Sequence, residues 1–406
     1  RNIYGVIFIF TFCLYPYVYL LCYATFSQQS HCAFEVGKSM GLNDFACLKK
    51  IGLPLARPGI IAGLGFVIME TLAEYGTVDY YGVSTFTTGI FRTWYTYDET
   101  SSLHLASILL SFVFIILILE NFSRGKSQYV YTSKTIKKNK PKNLSKLSSM
   151  FAFIWCLLII IFGFIIPVTQ LLIWLVDEKL YLFTTSYMEL IWNTMWIASI
   201  ASIIIVLLSL YFCYLNRSFK DFLTNTGIKI LSLGYSIPGI VVAIGIMTPL
   251  ALFDNLVTNF FNNNSTMLLS GSFVALILAY VVRFSTISLK SNEAGFEKIK
   301  NNLDLTAKSF GYTNLSIIRK IHIPIMKTTV VASFILVFVD IVKELPATLI
   351  MRPFNFNTLA VNIYELASAE QLSSIALPAL TLIIIGLIPV IMLMKGTITD
   401  NVSNKI

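Results

Sequence analysis

The sequence predicts an all-α protein: a polytopic membrane bundle of about nine helices, built from two pseudo-symmetric repeats of which the first is incomplete. Three observations predict this fold. The 406 residues are 56% hydrophobic and only 13% charged, whereas soluble domains carry about 25% charged residues. Apolar runs of the roughly 20 residues needed to cross a bilayer recur along the chain. In addition, one loop pattern occurs twice, at a separation of 270 positions.

The apolar runs define the predicted membrane spans. Each run is expected to be a helix, because lipid offers backbone N–H and C=O groups no hydrogen-bond partner. The predicted spans are 4–25, 58–78, 104–122, 149–176, 189–215, 228–252, 268–288, 328–350 and 373–395.

Basic residues set the expected orientation. The segment from Arg124 to Lys146 carries many basic residues and no acid, so the positive-inside rule places it in the cytoplasm. Both repeated loops and the C-terminus then fall on the same side, and the segments 79–102, 176–189, 253–267 and 351–372 fall outside. The net charge of +9 therefore indicates contact with anionic membrane lipid and no nucleic-acid partner.

The spans group into two halves around the basic segment. Residues 1–122 are interpreted as the C-terminal part of a first repeat with three spans, 123–148 as a basic cytoplasmic linker, and 149–406 as a complete second repeat with six spans. Because the chain starts at Arg1 without Met and the first half holds only three spans, we expect about three spans ahead of Arg1. Paired repeats of this size are typical of transporters with one shared pathway.

The repeated loop reads FEVGKSMGLNDFACLKKIGLP from position 34 and DLTAKSFGYTNLSIIRKIHIP from position 304. A glycine permits a sharp turn in each copy, and Asn43 or Asp44, and Thr313 or Asn314, can cap a short helix of two or three turns. A proline then ends that helix and starts the next. One copy alone would favour an amphipathic helix lying on its own bundle. Two copies in equal register favour docking to a partner protein.

The loop resembles the Glu-Ala-Ala loop of ABC importer permeases of the binding-protein-dependent kind. The positions that carry the resemblance are Glu35, Gly41, Ile51 and Pro54 in the first copy, and Ala307, Gly311, Ile321 and Pro324 in the second. Val36 and Gly37 replace the two alanines, and Leu305 replaces the second Glu. The resemblance implies that each loop couples to one of two ATP-binding cassette ATPase subunits.

Other segments narrow the resemblance to the fused two-half permeases of iron(III) importers. These segments are Gly234 to Gly245, Ala279 to Ile299, Lys343 to Ser368 and Glu70 to Tyr95. The resemblance implies a multi-pass protein of the bacterial inner membrane that receives ferric iron from a periplasmic iron(III)-binding protein. Related permeases carry thiamine, phosphonates, sulfate or polyamines, so these solutes remain alternative cargoes.

Four carboxylates fall inside predicted spans, Glu70 and Glu74 in one and Asp340 and Glu344 in its counterpart. Residues four apart share one face of a helix, and ionisable residues within spans usually face a cavity or a partner. Carboxylate oxygens suit a hard cation such as Fe³⁺, so we predict a translocation pathway with transient contacts and no stably bound metal. Alternatively, the four residues lie near span ends and are satisfied by water, by Thr71 or by Lys343.

Three residues mark predicted hinges, namely Pro238, Gly239 and Pro346. Proline ends or bends a helix, and such a break at membrane depth persists where protein or a water-lined cavity satisfies the backbone. The sequence holds no Walker A motif, no HExxH and no GxSxG, so we expect no cofactor and no enzyme activity in this chain. A gradient-driven secondary transporter remains the alternative class, although it has no need of docking loops.

Overall fold

The chain is helical throughout its described parts. The computed structural model describes residues 1–27, 29, 31–96, 98–124, 145–177, 185–218, 221–261 and 269–403. All regular structure in these ranges is helical, which confirms the predicted all-α class. Within these ranges, eight helices are long and apolar enough to cross a membrane, and a ninth span is added if a helix pair bent by 84° is counted as one. The chain is a multi-pass membrane protein, and the eight or nine candidate spans among the described residues agree with the predicted polytopic bundle.

The residues divide into two compact units, 1–170 and 171–406. The helices that begin in the first unit are α1 (Ile3–Ser27), α2 (His31–Ser39), α3 (Asp44–Cys47), α4 (Leu53–Ala73), α5 (Gly76–Tyr80), α6 (Phe86–Tyr95), α7 (Glu99–Arg124), α8 (Lys146–Ile160) and α9 (Ile166–Asp177). Two π-helical turns, Leu48–Gly52 and Ile161–Ile165, join α3 to α4 and α8 to α9.

The second unit continues the helical order. Its helices are α10 (Thr185–Ser218), α11 (Phe222–Leu231), α12 (Gly239–Phe261), α13 (Phe273–Glu297), α14 (Asn301–Ser309), α15 (Asn314–Ile317), α16 (Ile323–Ile325), α17 (Lys327–Val342), α18 (Pro346–Met351), α19 (Leu359–Ser368) and α20 (Ala376–Ser403). A 3₁₀ turn, Gly234–Ser236, precedes α12, and a π-helical turn, Ile318–His322, joins α15 to α16.

The predicted linker falls largely outside the described residues, and the division into two units differs from the predicted domain boundary. Most of the linker 123–148 lies outside the described residues, as do parts of the predicted outer segments 176–189 and 253–267. The unit boundary follows residue 170, whereas the second repeat was predicted to begin at 149. Helix α8 lies within the first unit, where Gly163 after it packs against the Phe12 carbonyl of α1. The six-span second repeat stays a prediction.

Several predicted span boundaries are wrong by several residues. The predicted span 228–252 is a short helix ending at Leu231 and a separate span beginning at Gly239. The predicted spans 58–78 and 328–350 end early, at Ala73 and Val342. A hydropathy window averages over many residues, so it runs past helix ends at which only a few polar or charged residues, such as Glu74 and Lys343, interrupt the apolar sequence.

The repeat is visible in the packing. Helices α1 and α13 have equal length and lie 270 positions apart, and each packs on the span that follows its loop, α4 or α17. At one crossing in the first unit Gly59 meets Thr25, and at the equivalent crossing in the second unit Gly295 meets Thr329. The glycine therefore lies on α4 in the first unit and on α13 in the second. In both units, a small residue lets the two backbones approach closely, as is usual between membrane helices.

A buried polar chain fixes the three central helices of the second unit. Ser288 of α13 bonds Ser209 of α10 at 2.5 Å and Ser333 of α17 at 2.7 Å, and the Asn292 amide donates to Ser209 at 2.6 Å. All four side chains are at most 1% exposed. Such hydrogen bonds hold helices together where lipid gives no hydrophobic driving force for association.

Candidate functional site

The two repeated loops have the same backbone. Each consists of a nine-residue helix (α2 or α14), a glycine turn, a capped short helix (α3 or α15) and a π-helical turn. Gly41 and Gly311 have φ of 80° and 82°, the left-handed region that glycine adopts without steric cost. The Asn43 side chain accepts a hydrogen bond from the Ala46 N–H at 2.8 Å, and Thr313 accepts one from Ser316 at 3.4 Å. The predicted turns are confirmed, and the caps are Asn43 and Thr313.

The predicted separate short helix is wrong for the first loop. There, Asp44–Ala73 forms one continuous helix of 30 residues. In the π-helical turn the Leu53 N–H bonds the Leu48 carbonyl, five residues back. Pro54 follows at the start of α4. Its missing N–H is tolerated there because the backbone hydrogen bonds of this turn already span five residues instead of four. In the second loop the chain does bend, by 84°, at Met326.

Two exposed apolar side chains occupy equivalent positions on both loops. Met40 and Phe45 are 76% and 74% exposed, and Phe310 and Leu315, each 270 positions later, are 78% and 77% exposed. We call these four residues the apolar knobs. None of the four belongs to the predicted motif, although in the sequence they are apolar at equivalent positions of both copies. Apolar side chains that project from a turn and from the short helix after it can fill a hydrophobic groove on another protein.

The predicted motif residues divide between the surface and the base of each loop. Glu35, Gly41, Gly311, Pro54 and Pro324 are exposed, Ile51 and Ile321 are partly buried, and Ala307 is 5% exposed. A Cβ at Gly37, the position equivalent to Ala307, would lie 2.5 Å from Cδ1 of Ile51. In the first copy the Ile51 side chain therefore occupies the space that a Cβ at position 37 would need.

An ion pair anchors the second loop to span α10. Arg217, near the end of α10, donates from Nε to Asp304 at 2.6 Å and from its other nitrogens to the carbonyls of Phe296 and Ile299 at 2.8 and 2.9 Å. His322, which is 1% exposed, bonds the other Asp304 oxygen at 2.7 Å. Burial raises the pKa of Asp304, but the bonds from Arg217 and His322 outweigh it and the pKa is lowered. Asp304 therefore carries its charge at neutral pH, one residue before the Leu305 that replaces the motif Glu.

A neutral hydrogen bond holds the base of the first loop. The amide of Gln29, which is 3% exposed, donates to the Gly52 carbonyl at 3.0 Å. Gly52 and His322 are equivalent positions, as are Gln29 and Ile299. The two loops are therefore fixed at the same points by different chemistry.

The predicted pairing of carboxylates on one helical face is wrong. Glu74 has an extended backbone (ψ 134°) because α4 ends at Ala73, and Glu344 likewise lies beyond the end of α17 at Val342. Within each pair the second carboxylate therefore lies past the helix end. Asp340, still on α17, pairs with Lys343 at 2.7 Å, as the alternative interpretation anticipated.

Both carboxylates at the breaks cap the helix that follows. Oε1 of Glu74 accepts from the N–H and the hydroxyl of Thr77 at 2.9 and 2.8 Å, at the start of α5. Oε1 of Glu344 accepts from the N–H of Ala347 at 3.1 Å, at the start of α18. In the described ranges no three His, Cys, Asp or Glu side chains gather as a metal site.

The predicted hinge residues lie at real helix breaks. Before α12, Ile237 is extended, and the Pro238 carbonyl accepts the first helical bonds from Val241 and Val242 at 3.0 and 3.1 Å. Pro346 is the first residue of α18, where proline is favoured. Gly239 touches the side chains of α13 so closely that a Cβ would overlap the Arg283 guanidinium. Whether these breaks move stays a prediction.

Comparison with known proteins agrees with the predicted resemblance. Residues 1–123 match the family described as binding-protein-dependent transport system inner membrane component. The chain is 24% identical to the Fe(3+)-transport system permease protein FbpB 2 of Haemophilus influenzae, over 96% of this chain and 76% of that protein. The predicted resemblance to the permeases of iron(III) ABC importers is confirmed.

A solved structure is also similar to this chain. It is a crystal structure of a bacterial alginate ABC transporter in complex with an alginate pentasaccharide-bound periplasmic protein. The match has 14% identity and a TM-score of 0.49, and it covers 61% of this chain and 92% of the other.

Proposed function

We propose that this chain, a membrane permease of the ABC importer type, moves ferric iron across the bacterial inner membrane. The iron is delivered by a periplasmic iron(III)-binding protein, and two ATPase subunits drive its transport by gripping the two repeated loops. The chain itself makes and breaks no covalent bond. The iron assignment is supported by similarity to an iron(III) permease over 96% of this chain.

The apolar knobs carry the coupling part of the proposal. Both loops present two apolar side chains, each at least 74% exposed, at the same two positions. Exposing large apolar groups on a water-facing loop is unfavourable by roughly 25 cal/mol for each Å², so equal exposure in both copies supports a partner groove for each loop. The basic residues of the loops support a cytoplasmic location for both.

The connections between the two loops and the membrane spans support transmission of force from the loops to the spans. The first loop continues without interruption into span α4, and the second is tied by Arg217 and Asp304 to span α10. In the proposed cycle, ATP binding brings the two ATPase subunits and both loops together, and the two repeats rock so that the pathway opens outward. ATP hydrolysis then returns the two repeats to their starting arrangement. The breaks at Pro238, Gly239 and Pro346 are proposed hinges for this motion.

The carboxylates Glu70, Glu74 and Asp340 are proposed to line the pathway. Hard cations prefer carboxylate oxygen, and transient contacts allow the release that transport requires. Glu344 differs from them in its surroundings, because it is buried.

Uptake of radioactive iron tests the proposal. Cells that carry this permease, its binding protein and its ATPase should accumulate ⁵⁵Fe³⁺. Uptake should vanish when the ATPase carries an inactivated Walker A lysine, and it should persist when an uncoupler collapses the proton gradient. Uptake that survives loss of the ATPase and stops with the uncoupler would instead establish a gradient-driven carrier. Competition by thiamine, phosphonate, sulfate or a polyamine would reassign the cargo.

A further inference from the structure

The two carboxylates at the helix breaks occupy equivalent positions but have different neighbours. Glu74 and Glu344 lie 270 positions apart, and each accepts a hydrogen bond from the residue three positions later. A pseudo-symmetric pathway would present both to the cargo in the same way. The residues packed against Glu74 and Glu344 differ, so the two carboxylates have different surroundings.

Glu344 is buried and forms an ion pair with a buried arginine. It is 5% exposed, and its Oε1 lies 3.3 Å from Nη1 of Arg283, which is 8% exposed. Its backbone is also held, because its carbonyl accepts a bond from the Thr348 hydroxyl at 2.9 Å and Thr348 bonds Tyr280 of α13 at 2.8 Å. We call the pair of Arg283 and Glu344 the buried ion pair.

Arg283 needs this anion. Among the described residues, its Nε and Nη1 have no hydrogen-bond partner, and Gly239 at the start of α12 lies directly against the guanidinium. The N-terminus of a helix is itself electropositive, so two positive groups meet at this point. A Cβ on Gly239 would lie 2.5 Å from Oε1 of Glu344, which places the carboxylate where it compensates both. The buried ion pair thus joins α12, α13 and the break before α18.

Glu74 has no such partner in the first unit. The position equivalent to Arg283 is Cys13, an exposed, uncharged thiol on α1. Among the described residues, no ion pair with Glu74 is formed. Its two bonds, both from Thr77, go to the same oxygen, Oε1. Glu74 is also more exposed than Glu344.

We propose that the two equivalent carboxylates have different roles: Glu344 is a positioning residue that joins the broken helices through Arg283, whereas Glu74 offers its charge to the passing cation. The cation part rests on the proposed function. The positioning part does not, because it concerns only groups within the second unit.

Paired neutral substitutions test the positioning role. Glu344→Gln and Arg283→Gln each leave one buried charge uncompensated, which is expected to lower the folded-to-unfolded ratio by about a hundredfold or more. The double variant, Arg283→Gln with Glu344→Gln, removes both charges and should recover the melting temperature and most of the ⁵⁵Fe³⁺ uptake of the wild-type importer. A double variant that folds as the wild type but transports no iron would overturn the proposal, because Glu344 would then contact the cargo. Unchanged melting of both single variants would overturn it as well.

Substitution at Cys13 tests the role of Glu74. Cys13→Arg introduces the partner that the second repeat has, and it should lower ⁵⁵Fe³⁺ uptake about tenfold at normal abundance, as should Glu74→Gln. Cys13→Ser is the matched control and should keep wild-type uptake. Wild-type uptake in Glu74→Gln would overturn the cation role. Absence of iron uptake in the wild-type importer would instead refute the proposed function, and the melting temperatures would still decide the positioning role.

Discussion

Neutralising Asp304 should loosen the second of the two repeated loops. In Asp304→Asn, Arg217 loses the acceptor at 2.6 Å and His322 the one at 2.7 Å. Arg217 is 11% exposed at its side chain and Asp304 is 18% exposed. Breaking a buried pair costs about 3–5 kcal/mol, and because this pair retains some solvent contact we expect about 2–3 kcal/mol. For a unit of this size that loss lowers the melting temperature by roughly 4–12 °C.

The assay is thermal unfolding of the purified importer in detergent, followed by intrinsic fluorescence. Asp44→Asn is the matched control, since Asp44 of the first loop pairs with Lys38 at 2.9 Å but both side chains are more than half exposed. Exposed pairs contribute little, so the control should melt as the wild type does. Equal melting of Asp304→Asn and the wild type would refute the anchoring role of Asp304.

The pH dependence of the same variant gives a second check. The pKa of Asp304 is lowered in the folded protein, so its contribution is complete above the unfolded pKa of about 3.9. That contribution is lost as pH falls through the lower folded pKa. The melting difference between Asp304→Asn and the wild type should therefore persist at neutral and mildly acidic pH and shrink only below about pH 4. A difference that disappears near pH 6 would contradict the assignment of the carboxylate.

Two glycine substitutions, each with a control in a helix, test other parts of the account by melting temperature. Gly311→Ala should destabilise the protein by about 1–2 kcal/mol through the φ of 82° alone. The control Gly227→Ala lies in α11 with open space around it and should stabilise the protein by about 0.5–1 kcal/mol. If Gly311→Ala left the stability unchanged, the left-handed turn would be contradicted. Gly239→Ala should cost about 1–3 kcal/mol by crowding Arg283, whereas Gly245→Ala in α12 meets nothing within 4 Å; equal effects would contradict the close approach at Gly239.

The sequence predicted the elements whose signals are local. Span number follows from hydropathy, and the turns at Gly41 and Gly311 follow from a residue type that tolerates positive φ. The constant offset also predicted that the loops share one backbone. That register does not extend beyond α5 and α18, because Thr85 and Thr358, which cap α6 and α19, are 273 positions apart. A connection between short helices accepts extra residues easily, so sequence spacing alone could not locate the change.

The features missed by the sequence depend on tertiary contacts. Arg217 and Asp304 are 87 positions apart, and Arg283 and Glu344 also come from separate helices, so no spacing rule pairs them. The helix end before Glu344 was signalled by Pro346, but the equivalent end before Glu74 was not, because Gly76 stands there and glycine breaks a helix less strictly than proline. The interpretation of Glu70 and Glu74 as a face-sharing pair failed for this reason, whereas that of Asp340 and Glu344 failed because α17 already ends at Val342, ahead of Pro346.

Site-directed cross-linking of the two loops to the ATPase tests the central claim most directly. Phe45→Cys and Leu315→Cys, placed singly in a background without the six native cysteines, would be paired with cysteines along the surface groove of the ATPase partner. The account predicts a disulfide to the ATPase from each loop, with yields that change when ATP is bound. A cross-link from only one loop, or from neither while the importer still takes up iron, would contradict it.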